Sequence, residues 1–348
     1  MLRLLKYPSV LLGLLLAPFA SSAGDKTTPL HIKQDAPETY TVVKGDTLWD
    51  ISELYLDNPW LWPRLWQVNP EIENPHLIYP GDRLSLVWKN GQPVLSVKPM
   101  VKLSPKIRLA DKQPIPTLKE ELVLPYLESD RLLSQMKVDS SARVLGSSNG
   151  RQYLTQQESL YISGQQLQPH WGIYRQMATF SRGEHVAVAL KRIASAERVE
   201  HNDNMTRLNV THQVQEILVD DIALPEMNGS SDTLSTTFYP TPSTQGLFAE
   251  ILGTLEGNRY AGEYDVVVLN RGHSDELDQG SMFELYQQGA EADLSDTEIV
   301  RFPDIHIGNL IIIRPYQYFS LALITQSKQP VATDSKLRAP HLFSGEKL

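Results

Sequence analysis

The spacing of hydrophobic positions divides the chain into a short segment with helical periodicity and a long remainder with strand-like alternation. Within residues 40–87, strand-forming residues at 40–43 come first and an alternating run at 83–87 comes last. Between them, apolar residues over 48–55 recur at the spacing of one helix face, and a second short apolar face follows over 65–68. This pattern predicts the order strand, helix, helix, strand.

Local start and stop signals agree with that order. Thr47 and Asp50 have the spacing of a capping box at the start of the first helix. Pro63 suits the first turn of the second helix, because its fixed φ and missing N–H cost little there, and Asn69-Pro70 is a stop signal. The run 79–82 (YPGD) fits a type II turn with glycine at the positive-φ position.

Three motifs in this segment carry a family resemblance. They are Gly45-Asp46-Thr47-Leu48 after the first strand, Asn69 near the end of the second helix, and Ile-x-x-Gly-Asp-x-Leu at 78–84. In this order they resemble the LysM module, a small carbohydrate-binding domain with a βααβ fold. The tryptophan-rich stretch 58–66 is longer than the usual link between the helices. Together with the run at 74–82 (NPHLIYPGD), it is similar to the LysM subclass of Gram-negative envelope proteins.

The resemblance implies a sugar-binding groove between the first strand–helix loop and the second helix–strand loop. Backbone N–H and C=O groups of two loops can pair with the one donor and one acceptor of an acetamido group. Leu48 and Ile78 can pack on its methyl, as in sites that are mostly apolar with a few fixed polar groups, and Gly45 allows close backbone approach. The predicted peptidoglycan-binding residues are therefore Gly45, Asp46, Thr47, Leu48, Asn74, Pro75, His76, Leu77, Ile78 and Tyr79.

These residues also have a purely structural interpretation. Thr47 would then cap a helix, Gly81-Asp82 would make a turn, and Leu48 and Ile78 would fill the core. The tryptophans of the same segment likewise have two interpretations, as sugar platforms or as packing, and we favour packing for three of them: Trp60, Trp62 and Trp66.

The rest of the chain is predicted to be mostly β, so that the fold class is α+β: a βααβ module followed by β-rich domains. Helices are predicted only within 120–135. The predicted strands lie at 152–154, 159–162, 184–190, 216–219, 264–269, 282–287, 309–313 and 320–324. The predicted domains are a signal peptide (1–23), a LysM domain (39–88), a proline-containing linker or edge strand (89–118), a middle domain (119–225), a linker (226–245) and a C-terminal domain (246–345).

Four segments near the C-terminus carry a second resemblance, at 269–272, 277–280, 307–312 and 320–324. They are similar to the C-terminal region of LysM-containing envelope proteins associated with type IV pilus secretins. That region is in turn related to a flagellar basal-body ring protein.

The two β-rich regions contain a short internal similarity. Residues 173–176 (IYRQ) resemble 285–288 (LYQQ), and an aspartate follows each tyrosine after 47 residues (Asp221) or 48 residues (Asp334). These features are compatible with a repeat and equally with chance similarity between strands.

Composition and the N-terminus narrow the function class. A basic start, an apolar run at 10–16 and small residues at 21–23 are typical of a cleaved secretory signal, which predicts a periplasmic protein. The chain has no cysteine, which excludes disulfides, thiolate metal sites and cysteine nucleophiles. Its net charge of −9 argues against nucleic acid as the main ligand.

The sequence offers few candidates for catalytic residues. The nine histidines are dispersed without zinc-ligand spacing, and there is no His-Glu-x-x-His motif. Asp220-Asp221 and the acidic stretch 291–298 are interpreted as turns and solvated faces. No catalytic residue, cofactor or metal is predicted.

The sequence predicts one function and leaves two alternatives open. The predicted function is that of a non-catalytic protein that binds the N-acetylglucosamine of peptidoglycan and, in many copies, anchors an envelope ring, the type IV pilus secretin, to the wall. The alternatives are a LysM-targeted peptidoglycan hydrolase and an adaptor for another complex such as a flagellar ring.

Overall fold

A computed structural model of the chain describes residues 30–66, 78–89, 91–98, 115–127, 132–148, 153–154, 159–226, 235–295, 298–333 and 335–340. The predicted signal peptide, the Asn69-Pro70 stop and Asp334 lie outside the described residues.

The N-terminal module contains the predicted strand, helix, helix and strand, with one strand more. Its elements are β1 Thr39–Thr41, α1 Leu48–Tyr55, a 3-10 helix at Pro59–Leu61, α2 Trp62–Trp66, β2 Arg83–Lys89 and β3 Gln92–Lys98. The strands form an antiparallel sheet in the order β1-β2-β3. The helices pack on this sheet through large buried side chains, with Tyr55, Trp62 and Trp66 at 1% exposure or less.

The third strand lies inside the stretch predicted as a linker. Pro93 lies opposite Trp88 in the pairing of β3 with β2. Because β3 pairs with β2 alone among the described strands, it is an edge strand, and an edge strand tolerates a proline that has no N–H to donate. Of the two interpretations of 89–118, a linker and an edge strand, the structure contains an edge strand at Gln92–Lys98, which pairs within the N-terminal module.

The middle of the chain folds into a six-stranded antiparallel barrel, the first barrel. Its closed ring has the order β5-β7-β10-β9-β8-β12, with β4 added beside β9. The bounds are α3 Glu120–Leu127, β4 Leu132–Ser134, α4 Gln135–Asp139, β5 Ala142–Gly146, β6 Tyr153–Leu154, β7 Ser159–Ser163, β8 His170–Arg182, β9 His185–His201, β10 Met205–Gln213, β11 Ile217–Leu218 and β12 Ile222–Pro225.

The last part of the chain folds into another six-stranded ring, the second barrel. Its order is β14-β16-β21-β20-β17-β23, with β13 added beside β17. The bounds are β13 Thr241–Pro242, β14 Phe248–Thr254, β15 Tyr260–Ala261, β16 Val266–Leu269, β17 Ser281–Gln287, β18 Glu291–Ser295, β19 Glu298–Arg301, β20 Ile305–Pro315, β21 Ser320–Ser327, β22 Val331–Ala332 and β23 Lys336–Arg338, and a 3-10 helix spans His273–Asp275.

The two barrels have the same topology. Numbered one to six along the chain, the strands of each ring follow the order 1-2-5-4-3-6, and each barrel also pairs a short strand between strands 1 and 2 with one between strands 5 and 6. Tyr174 and Tyr286, which anchor the internal similarity, both lie on strand 3. There they face strand 6, where their partners are Ile222 and Lys336.

Register shifts in the strand pairings also occur at matching places in the two barrels. A register shift falls just before the tyrosine in the pairing of strands 3 and 4 in each barrel. The pairing of strands 1 and 2 also has a register shift, at Gly146 in the first barrel and at Gly253 in the second. These glycines have φ values of +125° and +147°. β-Bulges with glycine are designed features rather than accidents of pairing, so their coincidence supports a repeated domain.

Part of the outer face of the second barrel, along β16, β20 and β21, is buried as well as the interior. Alternate residues of β16 and β20 point in opposite directions, so Val267 and Ile312 line the interior while Val268 and Ile311 face outward. The outward residues form an apolar cluster with the N-terminal module, α3 and the β8–β9 hairpin. We call this cluster the junction, and it comprises Trp49, Trp60, Leu118, Val123, Leu132, Phe180, Ala187, Ala189, Phe238, Leu255, Val266, Val268, Met282, Ile311, Ile313, Phe319, Leu321 and Leu323.

The α+β assignment therefore holds only in part. It describes the N-terminal module, whereas the region that follows is confirmed as β-rich and contains a six-stranded barrel in each half. The α-helices in the described part of the chain have five to eight residues. None of these described helices is long and apolar enough to cross a membrane.

A bidentate ion pair fastens the β8–β9 hairpin to the second barrel. The two terminal nitrogens of Arg182 donate to the two carboxylate oxygens of Asp275 at 2.6 and 2.8 Å, and Gly272 N–H donates to the same carboxylate at 3.0 Å. Burial alone would raise the pKa of Asp275, but these hydrogen bonds and the charges of Arg182 and Arg271 outweigh it and lower the pKa below its ordinary value.

We predict that Asp275→Asn destabilises the protein by about 2 kcal/mol at pH 7, because the charge-assisted bonds are lost. A carboxylate with a lowered folded pKa stabilises fully above its unfolded pKa of about 4 and loses that contribution as the pH falls through the folded pKa. Urea denaturation should thus show that the wild type has a larger free energy of unfolding than Asp275→Asn, and that this difference decreases below pH 4. The exposed Asp220, 3.8 Å from Arg143, provides the control Asp220→Asn, which should change little. A difference independent of pH would contradict the prediction.

Candidate functional site

The first loop of the predicted groove is fixed by its aspartate. Gly45 has a φ of +99°, a conformation that favours glycine. Asp46 accepts hydrogen bonds from Val43 N–H at 2.8 Å and from the Tyr40 hydroxyl at 3.0 Å. Burial and the bond to Asp46 raise the pKa of Tyr40, so this hydroxyl remains a donor at neutral pH. The Asp46 side chain therefore shapes the loop.

Thr47 caps the start of α1, which confirms its half of the predicted capping box. The Thr47 hydroxyl accepts from Asp50 N–H at 3.0 Å, and Thr47 itself is 2% exposed. Leu48, the first helical residue, is fully buried. Of the four predicted residues in this loop, Gly45 is exposed, Asp46 is half-buried, and Thr47 and Leu48 are structural by position.

The second loop repeats the arrangement of the first. Gly81 has a φ of +99°, which confirms the predicted turn, and Asp82 accepts from Tyr79 N–H at 3.0 Å. Val42 joins the loops, since its N–H donates to Asp82 O at 2.9 Å and its carbonyl accepts from Gly81 N–H at 2.7 Å. Ile78 is fully buried. The other predicted residues of this loop, Asn74, Pro75, His76 and Leu77, lie outside the described residues.

A segment from the predicted linker lies between the two loops. Pro116 O accepts from Leu48 N–H at 2.9 Å, and Thr117 O accepts from Trp49 N–H at 3.1 Å, so two free N–H groups at the start of α1 are satisfied. On the other side, Ile115 N–H donates to Ile78 O at 2.9 Å. The Ile115 side chain belongs to the same buried cluster as Leu48 and Ile78.

Sequence reasoning missed this segment as a part of the site. Ile115 lies between Pro114 and Pro116, and a residue before proline favours extended backbone. That cue indicates the conformation that can bridge two loops, but it does not indicate which loops. The segment is far from both loops in sequence, so hydrophobic periodicity carries no information about the contact.

The tryptophans of the N-terminal module are mostly packing residues. Trp60 and Trp62 are 7% and 0% exposed, and the Trp62 ring stacks on Tyr239 with 5.3 Å between ring centroids. Trp66 is also buried. Trp88, at the end of β2, is 64% exposed.

Comparison with known proteins agrees with the geometry of the two loops. Residues 40–87 match the LysM domain family. This LysM domain indicates binding to peptidoglycan through N-acetylglucosamine. The chain is also 37% identical over 71 residues to the "Uncharacterized protein YqbP" of Bacillus subtilis (strain 168), which covers 18% of this chain and 32% of that protein. The chain thus matches about a third of that relative's length.

Asp221 and Glu291, two of the carboxylates singled out from the sequence, have structural partners. Asp221, 6% exposed, accepts from the Arg175 guanidinium at 2.8 and 3.0 Å and from Leu218 N–H at 2.7 Å. The hydrogen bond to Asp221 is the main reason that the pKa of Arg175 is raised, and it fastens strand 3 to the turn before strand 6. Glu291 pairs with Arg301 across the β18–β19 hairpin. Among the described residues, no group of three or more histidines and carboxylates has a geometry that could hold a metal ion.

One short catalytic pattern was overlooked in the sequence. Residues 146–150 (GSSNG) have the spacing Gly-x-Ser-x-Gly. A nucleophile elbow of this type requires a sharp turn between a strand and a helix. Gly146 ends β5 and belongs to the bulge that recurs in the second barrel, while residues 147 and 148 form a loop and turn and the next two residues lie outside the description. The glycine therefore has a structural role in the bulge.

We predict that Thr47→Ala weakens α1 by about 1 kcal/mol, because the helix loses its N-cap hydroxyl. Native-state hydrogen exchange of the α1 amides should then be several-fold faster than in the wild type. Thr47→Ser keeps the hydroxyl and should exchange at nearly the wild-type rate. Equal protection in the alanine and serine variants would mean that the cap contributes nothing.

Proposed function

We propose that this protein is a non-catalytic periplasmic component that binds peptidoglycan through its LysM domain and anchors an envelope ring to the cell wall. The ring is proposed to be the secretin of a type IV pilus. The observation that carries the proposal is a LysM domain, with its first groove loop and the turn at 79–82 formed, packed on a pair of closed β-barrels.

The geometry of the two loops suits a small amide-bearing group. Leu48 N–H and Ile78 O both bond to the segment 115–116, so a donor and an acceptor of the LysM domain lie within reach of one short group. An acetamido group offers the matching acceptor and donor. The buried side chains of Leu48 and Ile78 supply an apolar surface for its methyl.

We assign sugar binding to the residues of both loops. The backbone groups, rather than charged side chains, would provide the polar contacts, since Asp46 and Asp82 are already bonded within their own loops. The assigned set is Gly45, Asp46, Thr47, Leu48, Ile78 and Tyr79, together with Asn74, Pro75, His76 and Leu77.

The barrels are proposed to bind the protein partner. Support comes from the resemblance of the stretches at 269–272, 277–280, 307–312 and 320–324 to envelope proteins of pilus secretins. A single LysM domain is expected to bind weakly. Many copies around a symmetric ring would convert weak contacts into firm attachment by raising the effective concentration.

We predict that the chain without residues 1–23 sediments with purified peptidoglycan sacculi. Oligomers of N-acetylglucosamine should compete, whereas deacetylated oligomers of the same length should not, because they lack the amide and methyl that the groove recognises. Protein that stays in the supernatant even at saturating amounts of sacculi would overturn the proposal at its first step. Dye release from labelled sacculi during the same incubation would favour the hydrolase alternative instead.

A crosslinking experiment tests the partner. Crosslinks from the two barrels in intact envelopes are expected to reach an outer-membrane secretin. Capture of a flagellar ring protein in its place would assign the chain to the alternative adaptor role and would leave peptidoglycan binding unaffected.

A further inference from the structure

The two backbone groups assigned to the sugar are already bonded to the protein's own chain. Leu48 N–H donates to Pro116 O and Ile78 O accepts from Ile115 N–H, each at 2.9 Å. The apolar part of the groove is filled too, because Ile115 is 3% exposed and clusters with Leu48 and Ile78. An acetamido group and this segment would therefore compete for the same donor, acceptor and apolar surface.

A threonine two residues after Ile115 holds the segment in place. The Thr117 hydroxyl donates to Phe238 O at 2.7 Å and accepts from Phe238 N–H at 2.9 Å. Thr117 N–H also donates to Thr236 O at 3.1 Å, and the Thr117 side chain is fully buried. Phe238 itself lies in the junction, so these bonds connect the groove segment to the second barrel.

The next residues extend this attachment. Leu118 is buried in the junction, and Lys119 lies 3.7 Å from Asp50 on α1. The α3 helix follows, and its last carbonyls, Tyr126 O and Leu127 O, accept from Arg314 of the second barrel at 2.9 Å each. The segment at 115–117 is thus held from both sides, by the LysM domain and by the second barrel.

We propose that Ile115–Thr117 is an autoinhibitory latch that closes the LysM groove, and that peptidoglycan binding requires its release. The inference rests on the proposed peptidoglycan binding and adds its regulation. If the groove is open in a fraction of molecules, the apparent dissociation constant is the intrinsic one divided by that fraction. Weakening the latch should therefore tighten binding without any change in the LysM loops.

The test uses the chain without residues 1–23 and the variant Thr117→Val, which keeps the side-chain shape and removes the hydroxyl. We expect it to bind an N-acetylglucosamine oligomer about tenfold more tightly than the wild type, since buried hydrogen bonds of the closed state are lost. The matched control is Thr206→Val. Thr206 is also fully buried, and its hydroxyl donates to Gly164 O at 2.8 Å and accepts from Gln166 N–H at 2.9 Å, but it lies in the first barrel.

The outcomes separate the latch from the binding function. Equal affinity in the wild type and both variants would overturn the latch and leave peptidoglycan binding intact. Tighter binding by both variants would also overturn it, because the effect would then come from lower overall stability and not from the segment at 115–117. Absence of binding in all three proteins, Thr117→Val included, would overturn the latch and the proposed function together.

Hydrogen exchange provides a second measurement on the wild type. The amides of Ile115 and Thr117, which donate to Ile78 O and Thr236 O, should lose protection when the oligomer binds. The amides of Val42 and Gly81, which join the two loops, should keep theirs. Oligomer binding with Ile115 and Thr117 still protected would show that the sugar occupies another surface.

Discussion

Burial of part of the outer face of the second barrel, along β16, β20 and β21, is the interaction on which the rest of the structure depends. Closing a sheet into a barrel normally leaves one face for solvent, yet Val268 and Ile311 face outward into an apolar cluster. Trp49 and Trp60 of the LysM domain and Phe180 of the first barrel complete that cluster. Because all three folded units contribute to one core, their relative positions are fixed by packing and not by linker length.

The position of the segment at 115–117 follows from the packing of this core. Leu118 is part of the junction, and the residues just before it are therefore brought to the LysM loops by the same packing. The bond between Thr117 and Phe238 spans 121 residues of sequence. A continuous set of contacts therefore connects the two LysM loops with the second barrel through residues 115–118.

The sequence allowed the local features to be predicted and not the long-range ones. Thr47 and Gly81 carry their own signals, a capping hydroxyl and a positive φ, so the cap and the turn were identified correctly. The stretch 89–118 left both a linker and an edge strand open, because Pro93 is tolerated only by virtue of the edge position of β3, which depends on the partner strand. The role of Ile115 was not predictable, since it depends on two loops brought together by folding.

The shared topology of the barrels has an evolutionary consequence. The glycines of the two bulges, Gly146 and Gly253, occupy corresponding places in rings that are otherwise different in sequence, as expected for descent from one ancestral domain. The chain then carries two copies of one barrel in different surroundings: strands of the second bury outward-facing residues against the LysM domain, and the first contributes its β8–β9 hairpin to the same cluster.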